Sequence, residues 1–211
     1  MKKLLKGHQR FKEIKFKRNK DLYLNLVKEG QHPGTLFIGC SDSRVIPGLI
    51  TGSKPGELFT IQNIGNFVAP YKPDEDYHST ASAIEYAVSV LNVENIIVCG
   101  HSHCGAIKSL YTNLDKELDK ENDLIHTKKW LELGNEAKRI AQLVGGSIEE
   151  KLINTEKLSA MFQLENLLTY PAVKRRVDDG TLCLHVWYYK LETGEIEYYD
   201  DIKGSFLPMG S

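Results

Sequence analysis

A thiol, a carboxylate and a guanidinium fall within five positions at Cys40, Asp42 and Arg44, and an imidazole and a second thiol stand three apart at His101 and Cys104. Catalytic zinc takes three protein ligands from cysteine, histidine and carboxylate and keeps one position open. The H-x-x-C pair His101/Cys104 together with Cys40 supplies such a set. H-x-x-C alone is a weak signal, and a second cysteine at a strand end strengthens it. Taken singly, Cys40 and Cys104 fit equally well as small buried hydrophobes, which free cysteine often is. Cys99 and Cys183 sit inside apolar runs and read as such hydrophobes. His103 lies one helical step away from His101 and is not taken as a ligand. His8, His32, His78, His126 and His185 have no partner by spacing and read as solvated or core residues.

The elements that must position these groups alternate between strand and helix. "TLFIGC" (35–40), "LFTIQN" (58–63), "NIIVCG" (95–100) and "LCLHVWYY" (182–189) are β-rich apolar runs, and "HSTASAIEYAVSVLN" (78–92) has helical spacing between two of them. "ETGE" followed by "IEYYD" marks a hairpin turning at Gly194. The pattern predicts an α/β fold: a mainly parallel central sheet of about four parallel strands plus an antiparallel edge strand, flanked by helices. Residues 127–170 read as two helices broken at "GGS", with Ser147 as N-cap, and the charged run 115–123 reads as a solvated loop or helix. Parallel sheets carry functional residues at the C-terminal ends of their strands, where Cys40 and the His101/Cys104 pair both fall. Ser102 is expected to cap the helix after the third strand. Cys104 would then lie in its first turn, where the dipole favours a thiolate.

The bulk properties narrow the classes. A chain of 211 residues with a net charge of −1 supports one domain with a sizeable core, taken as residues 1–211. Without a basic excess or an apolar run of ~18 residues, neither nucleic acid nor a membrane is an expected partner. Four cysteines are too few for a disulfide scaffold and fit free or metal-bound thiols in a reducing, cytoplasmic setting. The basic N-terminus lacks the apolar core of a secretory signal. Residues 1–30 are expected to form a helical arm with Leu4, Leu5, Phe11 and Ile14 on its apolar side, packing on a partner subunit. No H-x-E with P-C-x-x-C supports a base deaminase, and no G-x-G-x-x-G follows a strand.

Cys40-x-Asp42-Ser43-Arg44 with His101-x-x-Cys104 resembles the β-class carbonic anhydrases. "KPGELFTIQNIGN" (54–66), "SAIEYAV" (82–88), "IIVCGHSHCGAI" (96–107) and "ENLLTYPAVKRRVDDGTLCLHVWYY" (165–189) extend the likeness, in that family's order, over residues 20 to 200. The resemblance implies a zinc enzyme, a lyase with one Zn²⁺ per subunit on Cys40, His101 and Cys104. It would interconvert carbon dioxide and bicarbonate as a homodimer or an assembly of dimers. Asp42 would orient the zinc-held hydroxide and Arg44 would keep Asp42 ionised by a bidentate pair. In part of the family the aspartate instead closes the site as a fourth ligand.

Two features favour the open, plant- and cyanobacterial-like subtype. Gln31 stands in the "GQxP" element, and Phe37 and Gln62 replace the Trp and Arg of the bicarbonate-controlled subtype. Gln62 also departs from most of the family. Phe59, Ile64 and Tyr86 would wall the carbon dioxide site, Gln31 would reach in at the subunit interface, and the Gly105 N–H would meet a bicarbonate oxygen. Val90 stands where plant relatives carry a proton-shuttling histidine, which leaves that role to Tyr86, His103 or buffer. The rival readings are a hydrolase of carbonyl sulfide or carbon disulfide on the same scaffold, and an inactive zinc-stabilised scaffold protein.

Overall fold

The structure is a computed structural model that describes residues 1–74, 76–112 and 123–210. The charged run 115–123 lies outside the described residues except for Asp123. The chain opens with α1 (Lys2–Arg10), a π-helical turn (Phe11–Phe16) and α2 (Lys20–Glu29). Then come β1 (Thr35–Cys40), the short α3 (Pro47–Ile50), β2 (Leu58–Asn63) and a 3₁₀ turn (Ile64–Asn66). Next, α4 (Ser79–Glu85) runs into a π-helical turn (Tyr86–Val90), and β3 (Asn95–His101) and α5 (Gly105–Leu110) follow. Four further helices, α6 (Ile125–Leu131), α7 (Asn135–Val144), α8 (Ile148–Leu168) and α9 (Pro171–Asp178), precede β4 (Cys183–Tyr189), β5 (Ile196–Asp200) and β6 (Ser205–Pro208).

The sheet order is β2-β1-β3-β4-β5-β6. β1 to β4 run parallel, as the sequence predicts, while β5 and β6 are antiparallel. The antiparallel edge therefore holds two strands rather than one. β6 has four residues and ends in Pro208, too short and too polar at its ends to read as a strand beforehand. Central strands of a parallel sheet are buried on both faces. β1 obeys this: Leu36, Phe37 and Ile38 are all fully buried. Leu36, Ile38, Ile96, Val98 and Val186 join Ile84, Val88 and Leu167 in the main core, and Phe37, Ile97 and Cys99 pack on the other side. Burial pushes the Cys99 thiol up to about 12, which suits the inert core residue expected. Cys183 departs from that expectation: it opens β4 and is exposed.

The helices stop and start where local chemistry requires. Gly145 and Gly146 take φ of +85° and +95°, a left-handed conformation that ends α7. Ser147 then caps α8 in a capping box, its Oγ accepting the Glu150 N–H while the Glu150 carboxylate accepts the Ser147 N–H. α8 lies against β3 and β4, and glycine at position 100 permits the approach, since a Cβ there would lie 3.3 Å from both the Ala160 Cβ and the Glu156 carbonyl. On the N-terminal arm, Phe11 turns inward against Phe16 and Tyr23. Leu4, Leu5 and Ile14 keep the exposed apolar side expected, joined by Leu24 and Val27.

Candidate metal centre

Parallel pairing of β1 with β3 places Cys40 and His101 at neighbouring strand ends, and the turn after β3 returns Cys104 to the same point. The ligand atoms of these three residues lie within 4.8 Å of one another, and all three residues are buried. The turn is tight: His103 takes φ of +56°. Its side chain projects outward to face Glu192 across 3.7 Å, so it stands apart from the cluster, as expected. Ser102 does not cap α5. Cys104 itself is the N-cap residue, and the Ser102 hydroxyl donates to Glu192 and accepts the Leu191 N–H. The β4–β5 hairpin takes the serine that the helix start would otherwise have used.

The donor set suits a thiophilic cation. The His101 Nδ1 contacts the Ser102 carbonyl at 2.9 Å, which assigns the proton to Nδ1 and turns the lone pair of Nε2 inward. That buried Nε2 has no hydrogen-bond partner, an expensive condition unless something binds there. Cys40 is held below the ordinary thiol range, chiefly by the hydrogen bond from the Cys104 thiol and, against the penalty of burial, by His101 and the Gly65 backbone. Cys104 is correspondingly raised, because Cys40 holds its proton and burial opposes its charge. Burial lowers the His101 pKa and the neighbouring Cys40 thiolate raises it, with the net shift upward, so a metal binding at Nε2 competes with a proton there. A metal entering here would displace protons from the cluster, and zinc fits two thiolates and one imidazole.

Asp42 and Arg44 stand next to this cluster as a closed fork. The Arg44 Nε donates to Asp42 Oδ1 at 2.9 Å, its Nη2 to Oδ2 at 2.8 Å, and its backbone N–H to Oδ1 at 3.0 Å. This pairing holds the Asp42 carboxyl well below the usual carboxylate range. The guanidinium also reaches the His103 carbonyl at 3.2 Å, tying the loop after β1 to the loop after β3.

Gln62, which has no evident role in the sequence, has one here. Its Nε2 donates to the Cys40 carbonyl at 2.9 Å and to the Val45 carbonyl at 3.0 Å, bracketing the loop that carries Asp42 and Arg44.

The pocket residues divide into two sets. Ile64 follows β2 directly, its carbonyl accepting the Trp130 indole N–H at 2.8 Å, and Gly105 opens α5 just past Cys104. With Ser41 and Asn63, Ile64 lines an open cavity of about 1160 Å³ that also includes Trp130 and His78. Phe59 pairs with Leu36, whereas Cys40 pairs with Asn63. Phe59 is thus four residues, about 13 Å, back along the strand from the cluster. Tyr86 stacks on Phe59 at 5.9 Å, and exposed Gln31 precedes the start of β1. Within one chain, Gln31, Phe59 and Tyr86 lie toward the N-terminal ends of the strands, away from Cys40 and Cys104. Val90 is exposed near Tyr86.

Known proteins resemble this chain along most of its length. The sequence model of the carbonic anhydrase family matches residues 35–196. A carbonic anhydrase of Synechocystis sp. is 40% identical over 98% of this chain and 74% of its own length. One from Helicobacter pylori is 37% identical over 96% and 92%. Among solved structures, the β-carbonic anhydrase CcaA superposes with a TM-score of 0.89 at 39% identity, covering all of this chain and 92% of its own. The Coccomyxa β-carbonic anhydrase in complex with acetazolamide gives a TM-score of 0.77 at 29% identity, covering 92% of this chain and 84% of its own. With a matching sheet, a matching family span and a Cys–His–Cys cluster at the strand ends, the chain belongs to the β-class carbonic anhydrases.

Proposed function

We propose that the chain catalyses the reversible hydration of carbon dioxide to bicarbonate and a proton, with one zinc ion per subunit held by Cys40, His101 and Cys104. Zinc in such a site supplies Lewis acidity that lowers the pKa of a water, and two thiolates temper that effect, so activity is expected to rise toward alkaline pH. Asp42 accepts a hydrogen bond from the attacking water and turns its lone pair toward carbon. Arg44 keeps Asp42 ionised and oriented. The observation that carries the reading is the closed Asp42–Arg44 fork beside the buried triad. It favours the open state, because both carboxylate oxygens are already engaged by Arg44 and Asp42 is not released to act as a fourth ligand.

Ile64 supplies apolar wall and the Gly105 N–H meets a bicarbonate oxygen. Gln31, Phe59 and Tyr86 complete the wall from a second copy, in a homodimer or an assembly of dimers. In such a dimer the exposed apolar side of the arm covers the partner. Among the described residues no helix is long and apolar enough to cross a membrane, and the free thiols suit a reducing compartment such as the cytoplasm.

Stopped-flow hydration of carbon dioxide by the zinc-loaded protein at pH 8.5 is the direct test, with sulfide release from carbonyl sulfide and carbon disulfide measured beside it. Hydration well above the buffer rate supports the proposal. Sulfide release without hydration would assign the sibling hydrolase, and neither activity would leave a zinc-stabilised scaffold.

A further inference from the structure

Behind Cys104 lies a carboxylate that the chemistry above does not use. Glu156 stands on α8 and is 5% exposed. Both of its oxygens are engaged: Oε1 accepts the Cys104 backbone N–H at 2.9 Å, and Oε2 accepts the Tyr188 hydroxyl at 2.6 Å. Neither contact is local in sequence, with separations of 52 and 32 residues. Burying a carboxylate is costly, and a neutral side chain would fill this helix–sheet contact with less penalty.

The position of Cys104 explains what such a group would do. The residue lies between a left-handed His103 and the first turn of α5, with an extended backbone of its own. Its N–H precedes the helix and has no helical carbonyl to bond. Glu156 supplies that acceptor from the neighbouring helix, and Gly100 lets the helix come close enough for it to reach. We infer that Glu156 is a positioning residue for the metal centre, holding the Cys104 backbone so that its sulfur is set for zinc, with Tyr188 fixing the far oxygen. This rests on the reading of Cys104 as a zinc ligand.

Two variants of the full chain separate reach from charge. Glu156→Gln keeps the length and the Oε1 acceptor, whereas Glu156→Asp keeps the charge and withdraws it by about 1.5 Å. Zinc affinity is read by competition against a chelator, and the melting temperature of the metal-free protein is read in parallel. Glu156→Gln is expected to bind zinc within about threefold of the wild type, and Glu156→Asp about 10- to 100-fold more weakly. A merely structural role would lower the metal-free melting temperature of Glu156→Asp while leaving zinc affinity as in the wild type, which would overturn the inference. Weaker binding in Glu156→Gln with wild-type affinity in Glu156→Asp would overturn it too, because charge rather than reach would then matter. Should Glu156→Asp fail to fold, Tyr188→Phe takes its place, with severalfold weaker zinc binding expected and wild-type affinity counting against the inference. No zinc uptake by the wild-type chain, or unchanged affinity in Cys104→Ser, would instead remove the ligand assignment itself.

Discussion

Among the described residues, two groups of three metal-capable side chains bring their ligand atoms within 4.8 Å: Cys40, His101 and Cys104, all buried, and Asp74, Asp76 and His78, all exposed. Spacing alone does not tell them apart; the state of their donors does. In the exposed group, Asp74 already bonds the Lys72 ammonium at 2.8 Å and the His78 ring at 2.6 Å. Lys72 and then His78 hold its carboxyl down to about 2. A protein cation already occupies the place a metal would take, and water surrounds the rest. In the buried group the nearby guanidinium of Arg44 is committed to Asp42, His101 Nε2 has no hydrogen-bond partner, and the backbone of Cys104 is anchored from behind. A metal centre is a set of donors denied other partners, and proximity is the lesser part of it.

The largest expected effect tests that contrast directly. Cys104→Ser or His101→Ala should lose the zinc retained after dialysis, measured by atomic absorption, together with all hydration activity. Zinc retained in both would erase the distinction drawn between the two groups. Next come the neighbours of the cluster. Asp42→Asn is expected to lower kcat/KM by about 10²-fold with zinc content unchanged, and Arg44→Lys, which loses the bidentate fork, by about tenfold. Stopped-flow rates matching the wild type in both would show the fork to be ornamental.

A smaller effect concerns Gln62. Truncation in Gln62→Ala removes two hydrogen bonds that bracket the Asp42 loop, for about 1–2 kcal/mol of stability by chemical denaturation. A fall in hydration rate should accompany it, and an unchanged rate would separate the clamp from the chemistry. The acid side adds a sign. The folded-state pKa of Asp42 is depressed, so its pairing contributes stability above the unfolded carboxylate value of ~3.9 and loses it as pH falls through the lower folded value. The gap in melting temperature between wild type and Asp42→Asn should therefore be present at pH 6 and narrow in stronger acid. At the bottom of the scale, His78→Ala should leave zinc content unchanged and activity within about twofold.

Much of this was legible in the chain because the relevant signals are local. β1 and β3 end in the chemistry they deliver, as parallel strands do, and Ser147 with Glu150 spells its capping box within four residues. What escaped reading depends on partners far away in sequence. Ser102 has the right type for a cap, yet a hairpin residue 90 positions on claims its hydroxyl. Glu156 looks like any helix-surface glutamate until Cys104 is placed against it. Gln62 makes sense only once the Cys40–Val45 loop is folded back on β2, and His78, unpaired by motif, finds Asp74 four residues earlier in the irregular segment before α4. β6 is four residues long and carries no alternation to detect.

The long reach of these contacts also bears on how the centre comes into being. His101 and Cys104 are neighbours in sequence, but Cys40 joins them only when β1 docks beside β3, and the segment after β2 is pinned to α8 by bonds such as Val68 N–H to Gln163 across 95 residues. Pairings of such high contact order form slowly. On the proposed ligand set, a refolding chain would meet zinc with a weak two-ligand grip and acquire the tight one late. Trp187, packed edge-on against Phe37 of β1, offers a fluorescence signal for that docking, and tight metal uptake should follow it rather than lead.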